Sequence, residues 1–211
     1  MADDGYFDNT TVQSLDDGDI ILIGEEHSGT GANRCKRMAR HLIDEIDPQT
    51  LCVEYPPRNN PYHGIGAMGY FSDYAQEHSL PLIHIDKEKD DRREVVDSYG
   101  KFCTDANKFT YPIEEDGDLD SRAITDARKR IYDEYGREAY EAMYIDREIY
   151  MAGILREIKR RYRLPIMVGM GTFHIFAVRD MYNSMENKVA FGASRVFDFG
   201  HDRRQQPVVH A

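Results

Sequence analysis

A chain of 211 residues, 41% of them apolar, is long enough for one domain with a sizeable core. Its 38 acids outweigh its 27 bases to leave a net charge of −11, which excludes a protein built to grip a nucleic-acid backbone, since that task needs a basic surface. No apolar run approaches the roughly 20 residues of a membrane span, and the acidic start "MADDGYFDNT" is neither a signal nor a transit peptide, so a cytoplasmic protein is expected.

"DIILIG" (19–24) is a continuous apolar run introduced by the turn "DDGD", and it reads as a buried strand. Over 31–46, Cys35, Met38, Ala39, Leu42, Ile43 and Ile46 recur at spacings of three and four, the pattern of an amphipathic helix that Pro48 closes. "TLCVEY" (50–55) is a second buried strand. After the loop "PPRNNPYHGIGAMG", a helix is expected from about Tyr70 to His78, and "LPLIHID" (80–86) is a third strand. Strand, helix, strand, helix, strand is the pattern of a parallel sheet covered by helices.

Residues 87–120 are charged and show no period, and "EEDGDLD" within them reads as an exposed loop. From about Ser121 to Arg163 the pattern is helical, with Met143, Arg147, Tyr150, Met151, Ile154, Leu155 and Ile158 on one face. "LPIMVGMG" (164–171) is a fourth buried strand, and "TFHIFAVRDMYNSM" opens another helix. "SRVFDFG" (194–200) is a candidate edge strand, and the tail from 201 to 211 looks loose. The expected architecture is a single α/β domain, with a central, mostly parallel sheet flanked by helices on both faces. Cys35, Cys52 and Cys103 are widely spaced without a CxxC, so neither a zinc ribbon nor a disulfide framework is expected.

The first and fourth strands end alike, in Gly24-Glu25-Glu26-His27 and Gly171-Thr172-Phe173-His174. Both are G-x-x-H at a strand-to-helix junction, where glycine is expected to permit a sharp turn and histidine to move protons or bind a metal. The second strand ends in Glu54, with Arg58 close behind, and the third ends in Asp86. In a parallel sheet these ends share one edge, so two imidazoles and several carboxylates are expected to converge there. Arg147 adds to this, because a guanidinium on an apolar face needs a carboxylate; Glu25, Glu54 and Asp86 are the candidates.

These motifs resemble the superfamily that joins the TraB/PrgY proteins, the TIKI proteases, the ChaN-like haem-binding lipoproteins and the erythromycin esterases. The resemblance rests on "IGEEHSGTGANRCKRMARHLI", "VEYPPR", "DREIYMAGIL" and "VGMGTFH", and covers about residues 19–60 and 143–182. Its marks are two G-x-x-H motifs, a glutamate after the second strand and an arginine on a late helix; here they fall on His27, His174, Glu54 and Arg147. Gly-Glu at 24–25 is the ChaN and esterase form, where TraB members carry a smaller residue. The resemblance implies a hydrolase acting on a peptide or other small substrate. In a metal version His27, His174 and Glu54 hold one divalent ion (Mn, Co or Zn). In a metal-free version His27 takes a proton from water, oriented by Glu25, and Arg147 stabilises the oxyanion. Glu26, Arg58 and Asp86 are then the substrate contacts.

Other motifs carry less. "GIGAMG" (64–69) satisfies G-x-G-x-x-G but follows "NNPYH" rather than a strand, so no nucleotide cofactor is expected, and it reads as a flexible active-site loop near Tyr62 and His63. Asp116, Asp118 and Asp120 imitate a calcium loop, but Ser121 and Ala127 stand where glycine and the bidentate acid belong. His41 and His78 belong to helix surfaces or ends. The excess of Asp (23) over Glu (15) and of Arg (19) over Lys (8) resembles proteins of salt-loving archaea or their viruses and plasmids. A competing expectation is a non-catalytic binding or structural module that uses the same fold, for example in a virus particle or surface assembly; a homo-oligomer or an assembly component is the partner expectation.

Overall fold

The computed structural model describes residues 12–25, 29–54, 66–86 and 121–189. Five strands form one sheet: β1 (Val12–Leu15), β2 (Ile20–Glu25), β3 (Thr50–Val53), β4 (Leu82–His84) and β5 (Ile166–Gly171). Their order is β1-β2-β5-β3-β4. β2, β5, β3 and β4 run parallel, and β1 is an antiparallel edge strand beside β2. The helices are α1 (Gly29–Ile46), α2 (Gly66–His78), α3 (Ser121–Tyr140), α4 (Asp146–Arg161) and α5 (Thr172–Val189). A π-helical turn, Glu141–Ile145, joins α3 to α4.

The strands read as unbroken apolar runs because both faces of the sheet are covered. On β5, Ile166, Val168 and Met170 point to one core with Met151, Leu155 and Ile158 of α4 and Ile175, Val178 and Tyr182 of α5. Met167 points the other way, into a core with Cys35, Met38 and Ile43 of α1 and Met68 and Phe71 of α2. β3 alternates likewise, Leu51 and Val53 against α1 and α2, Cys52 against the opposite layer. The expected α/β architecture with helices on both faces is the one observed. None of the helices among the described residues is long and apolar enough to cross a membrane.

Four differences from the sequence reading have physical reasons. β1 escapes a pattern search because it is only four residues long, and the first three are half-buried or exposed on an edge. Helix α2 begins at Gly66, so the second half of "GIGAMG" is helical rather than a loop; the glycines there lower helix propensity, and packing overrides that. The long helical stretch from 121 is not continuous: Gly136 has φ 79° and ψ 176°, and the π turn follows. Neither Gly24 nor Gly171 has a positive φ, so no sharp glycine turn marks the two motifs. At Gly24 the reason is space, since a Cβ there would stand 3.0 Å from Thr172 Oγ1 and 3.2 Å from its Cα. The candidate strand at 194–200, the segment 87–120, Cys103, Tyr62 and His63 lie outside the described residues.

Candidate functional site

The parallel register brings the strand ends together. Glu25, the last residue of β2, pairs with Gly171, the last of β5, so the ends of the two strands that carry the G-x-x-H motifs lie side by side. On the other flank of β5, Glu54 donates its N–H to Gly169 O (3.0 Å), and Gly171 N–H returns a bond to Glu54 Oε2 (2.6 Å). Beyond β3, the Ile85 N–H bonds Val53 O (3.1 Å), which sets Asp86 beside Glu54 at the same edge. The sheet therefore delivers Glu25, Glu54, Asp86 and the start of the His174 helix to one place.

Arg147 ties three of these groups together. Its Nη2 donates to Glu54 Oε1 (2.5 Å) and to Asp86 Oδ2 (2.7 Å), and its Nε reaches Asp86 Oδ1 (3.1 Å). Nη1 donates to Met143 O (3.2 Å), the carbonyl four residues earlier in the π turn, and lies 3.2 Å from His174 Nε2. Side-chain exposure is 6% at Arg147, 1% at Glu54 and 2% at Asp86. A guanidinium so deeply buried needs charge-assisted bonds on its whole fork, and it has them. The carboxylate partner expected for Arg147 is thus Glu54 and Asp86 together.

Glu25 serves a second device. Its Oε2 accepts the Met68 N–H (2.8 Å) in the first turn of α2, where the helix dipole favours an anion. Gly66, at φ 68°, makes room for it: a Cβ there would lie 2.4 Å from both Cδ and Oε1 of Glu25. This position tolerates glycine alone on two counts, backbone conformation and space.

Three contributors escaped the sequence reading. His174 Nδ1 lies 2.9 Å from Oε1 of Glu148, the residue next to Arg147 on α4. Arg128 of α3 grips the same carboxylate with both arms, Nη1 to Oε1 at 2.7 Å and Nη2 to Oε2 at 2.8 Å. Its Nη1 also donates to Phe173 O (3.1 Å) and its Nε to Tyr140 Oη (2.8 Å). Tyr144 packs between, with Arg128 over its ring at 4.9 Å and the His174 ring 5.5 Å away. Burial pushes the Glu148 carboxyl up, but the hydrogen bonds and charges of His174 and Arg128 outweigh it and hold the group below its ordinary range. Burial pulls Arg128 down, and Glu148 more than restores it. Burial raises the Tyr144 phenol, so it stays protonated. A signal for both charged residues was present: Glu148 follows Tyr144 and precedes Met151, Ala152 and Leu155 on one apolar stripe, and Arg128 sits between Ile124 and Ile131 on another.

Of the expected site residues, Glu25, Glu54, Asp86, Arg147 and His174 meet at this edge, whereas Glu26, His27 and Arg58 lie outside the described residues. His41 is half-exposed against Glu45, and His78 ends α2, both as expected. Of the three ligands that the resemblance implies for a divalent ion, Glu54 and His174 are described and His27 is not. Both oxygens of Glu54 are engaged, and the position between Glu54 Oε1 and His174 Nε2, which are 3.8 Å apart, is faced by the Arg147 guanidinium, itself a cation. Among the described residues, no three His, Cys, Asp or Glu side chains form a group able to hold a metal. Comparison with protein-family models, with curated proteins and with solved structures returns no match.

Proposed function

We propose that the protein is a hydrolase that cleaves a peptide or ester bond at the C-terminal edge of its sheet, as the resemblance to the TraB, TIKI, ChaN and erythromycin esterase superfamily implies. The observation that carries this reading is the convergence of His174, Arg147, Glu54 and Asp86 in one buried cluster at the ends of neighbouring parallel strands, where such sheets keep their chemistry. Because a guanidinium faces the shared position of the two candidate ligands, the metal-free mechanism is the better supported. A histidine, either His174 or His27, takes a proton as water attacks the carbonyl carbon. Arg147, held by Glu54 and Asp86, offsets charge developing on the carbonyl oxygen. The proton then passes to the departing amine or alcohol as its bond to carbon breaks.

The test is hydrolysis of a panel of peptides and esters in concentrated KCl, first with a chelator and then with added Mn, Co or Zn. Turnover in chelator is expected, falling by roughly 10²–10⁴-fold in His174→Ala, the range for loss of a general base. No turnover by wild type under any condition would end the hydrolase reading. A second reading is then left, a binding or structural module. It draws on one observation: Arg147 is 5% exposed and its donors reach Glu54, Asp86, His174 and Met143 O, as in a network that only holds elements together.

A further inference from the structure

We propose that Glu148 is a positioning residue, held by Arg128, that fixes the tautomer of His174 so that Nε2 keeps its lone pair. The inference builds on the reading of His174 as a base. It begins with what arginine can do: a guanidinium donates and never accepts. Arg147 Nη1, 3.2 Å from Nε2, therefore favours an unprotonated Nε2 in the neutral ring, but does not fix it without an acceptor at Nδ1. The remaining proton sits on Nδ1, 2.9 Å from Glu148 Oε1, an acceptor whose charge the two-armed Arg128 guanidinium balances. Donor and acceptor on the two sides of the ring select the same tautomer.

Arg128 explains why Glu148 is dependable in this role. Glu148 is fully buried, and without a cation its carboxylate would be costly to keep charged. The bidentate fork of Arg128 fixes both oxygens, and its bond to Phe173 O ties the same guanidinium to the backbone beside His174. Glu148, Arg128 and the His174 ring thus move as one unit, drawn from α4, α3 and α5. The arrangement follows the logic of a nucleophile's base oriented by a third group, with an arginine added behind the acid.

The experiment uses the full chain labelled with ¹⁵N in its histidine rings, read by long-range proton–nitrogen correlation spectra. His174 is assigned by its loss in His174→Ala. In wild type, the neutral His174 ring is expected to carry its proton on Nδ1 alone. Glu148→Gln sets an amide N–H against Arg128 or against Nδ1, and the Nε2–H form should then become populated. Since Glu148→Gln leaves Arg128 without its counter-charge, the double variant Arg128→Met/Glu148→Leu, which removes both partners, guards against a loss of fold. It should show the same mixed tautomers. For any substrate turned over, kcat should fall at least about 10²-fold with KM changed little. A wild-type ring protonated on Nε2, or variants with the wild-type tautomer, would overturn the proposal. A pinned Nδ1–H tautomer in a protein that turns over no substrate would uphold the positioning and sink the hydrolase reading instead.

Discussion

Replacing Arg147 with methionine keeps the aliphatic stem and deletes the guanidinium that joins Glu54 and Asp86 to His174. Both carboxylates bond a single nitrogen, Nη2, at 2.5 and 2.7 Å, and their side chains are 1% and 2% exposed. Glu54 keeps the Gly171 N–H, and Asp86 loses its contacts to both Nε and Nη2. Removing one partner of a buried pair costs about 3–5 kcal/mol, because the other charge stays behind. A loss of about 4 kcal/mol at pH 7 is therefore expected. In a domain of this size each kcal/mol moves Tm by roughly 2–4 °C, which gives a fall of roughly 8–16 °C. Arg147→Lys supplies a charge without the fork and should lose about half as much. Urea denaturation followed by far-ultraviolet circular dichroism, compared at equal m values, reads these differences. A variant within about 1 kcal/mol of wild type at pH 7 would refute the account of the cluster as a buried, mutually dependent network.

Two further outcomes are expected. Gly66→Ala must adopt a positive φ, costing about 1–2 kcal/mol, and its Cβ must displace the Glu25 carboxylate from the Met68 N–H, a charged bond worth about 1.5–3 kcal/mol; a urea midpoint equal to wild type would contradict it. Glu148 is held below its ordinary range in the folded protein, so its contribution is complete above the unfolded value of about 4.3 and is lost as pH falls through the lower folded value. Wild type should thus lose stability relative to Glu148→Gln on acidification below about pH 4.3, and a constant difference from pH 6 down to pH 3 would count against that linkage.

The legible part of the fold was the part that packing makes uniform. β2, β3, β4 and β5 announce themselves because a strand buried on both faces has no polar positions to confuse the pattern. β1 does not, since half-buried Val12 and Gln13 and exposed Ser14 look like the turn residues around them. At the site, Glu25, Glu54 and Asp86 were legible from their place at strand ends, and Arg147 from its apolar neighbours. Arg128 stands in a run rich in charge, "DARKR", where a salt-bridged surface is the ordinary interpretation, and Glu148, directly beside Arg147 in "DREIY", looks like its neighbour's local counter-charge rather than a buried group on its own account. What buries them is contact with the first turn of α5, a tertiary event no local window contains.

β5, the last strand in sequence among the described residues, lies in the middle of the sheet, between β2 and β3. Until a ribosome has released Ile166–Gly171, β1–β2 and β3–β4 are two separate ribbons with no shared edge. The bond from Gly171 to Glu54 closes a loop of 117 residues, and that from Arg147 to Glu54 one of 93. Chain entropy must be given up before such distant contacts return anything, so assembly of this domain is a late, all-at-once event. The cell consequently handles a nascent chain whose apolar strands Ile20–Glu25 and Thr50–Val53 wait unpaired on their inner edges, the condition in which sheets aggregate and holding chaperones are needed.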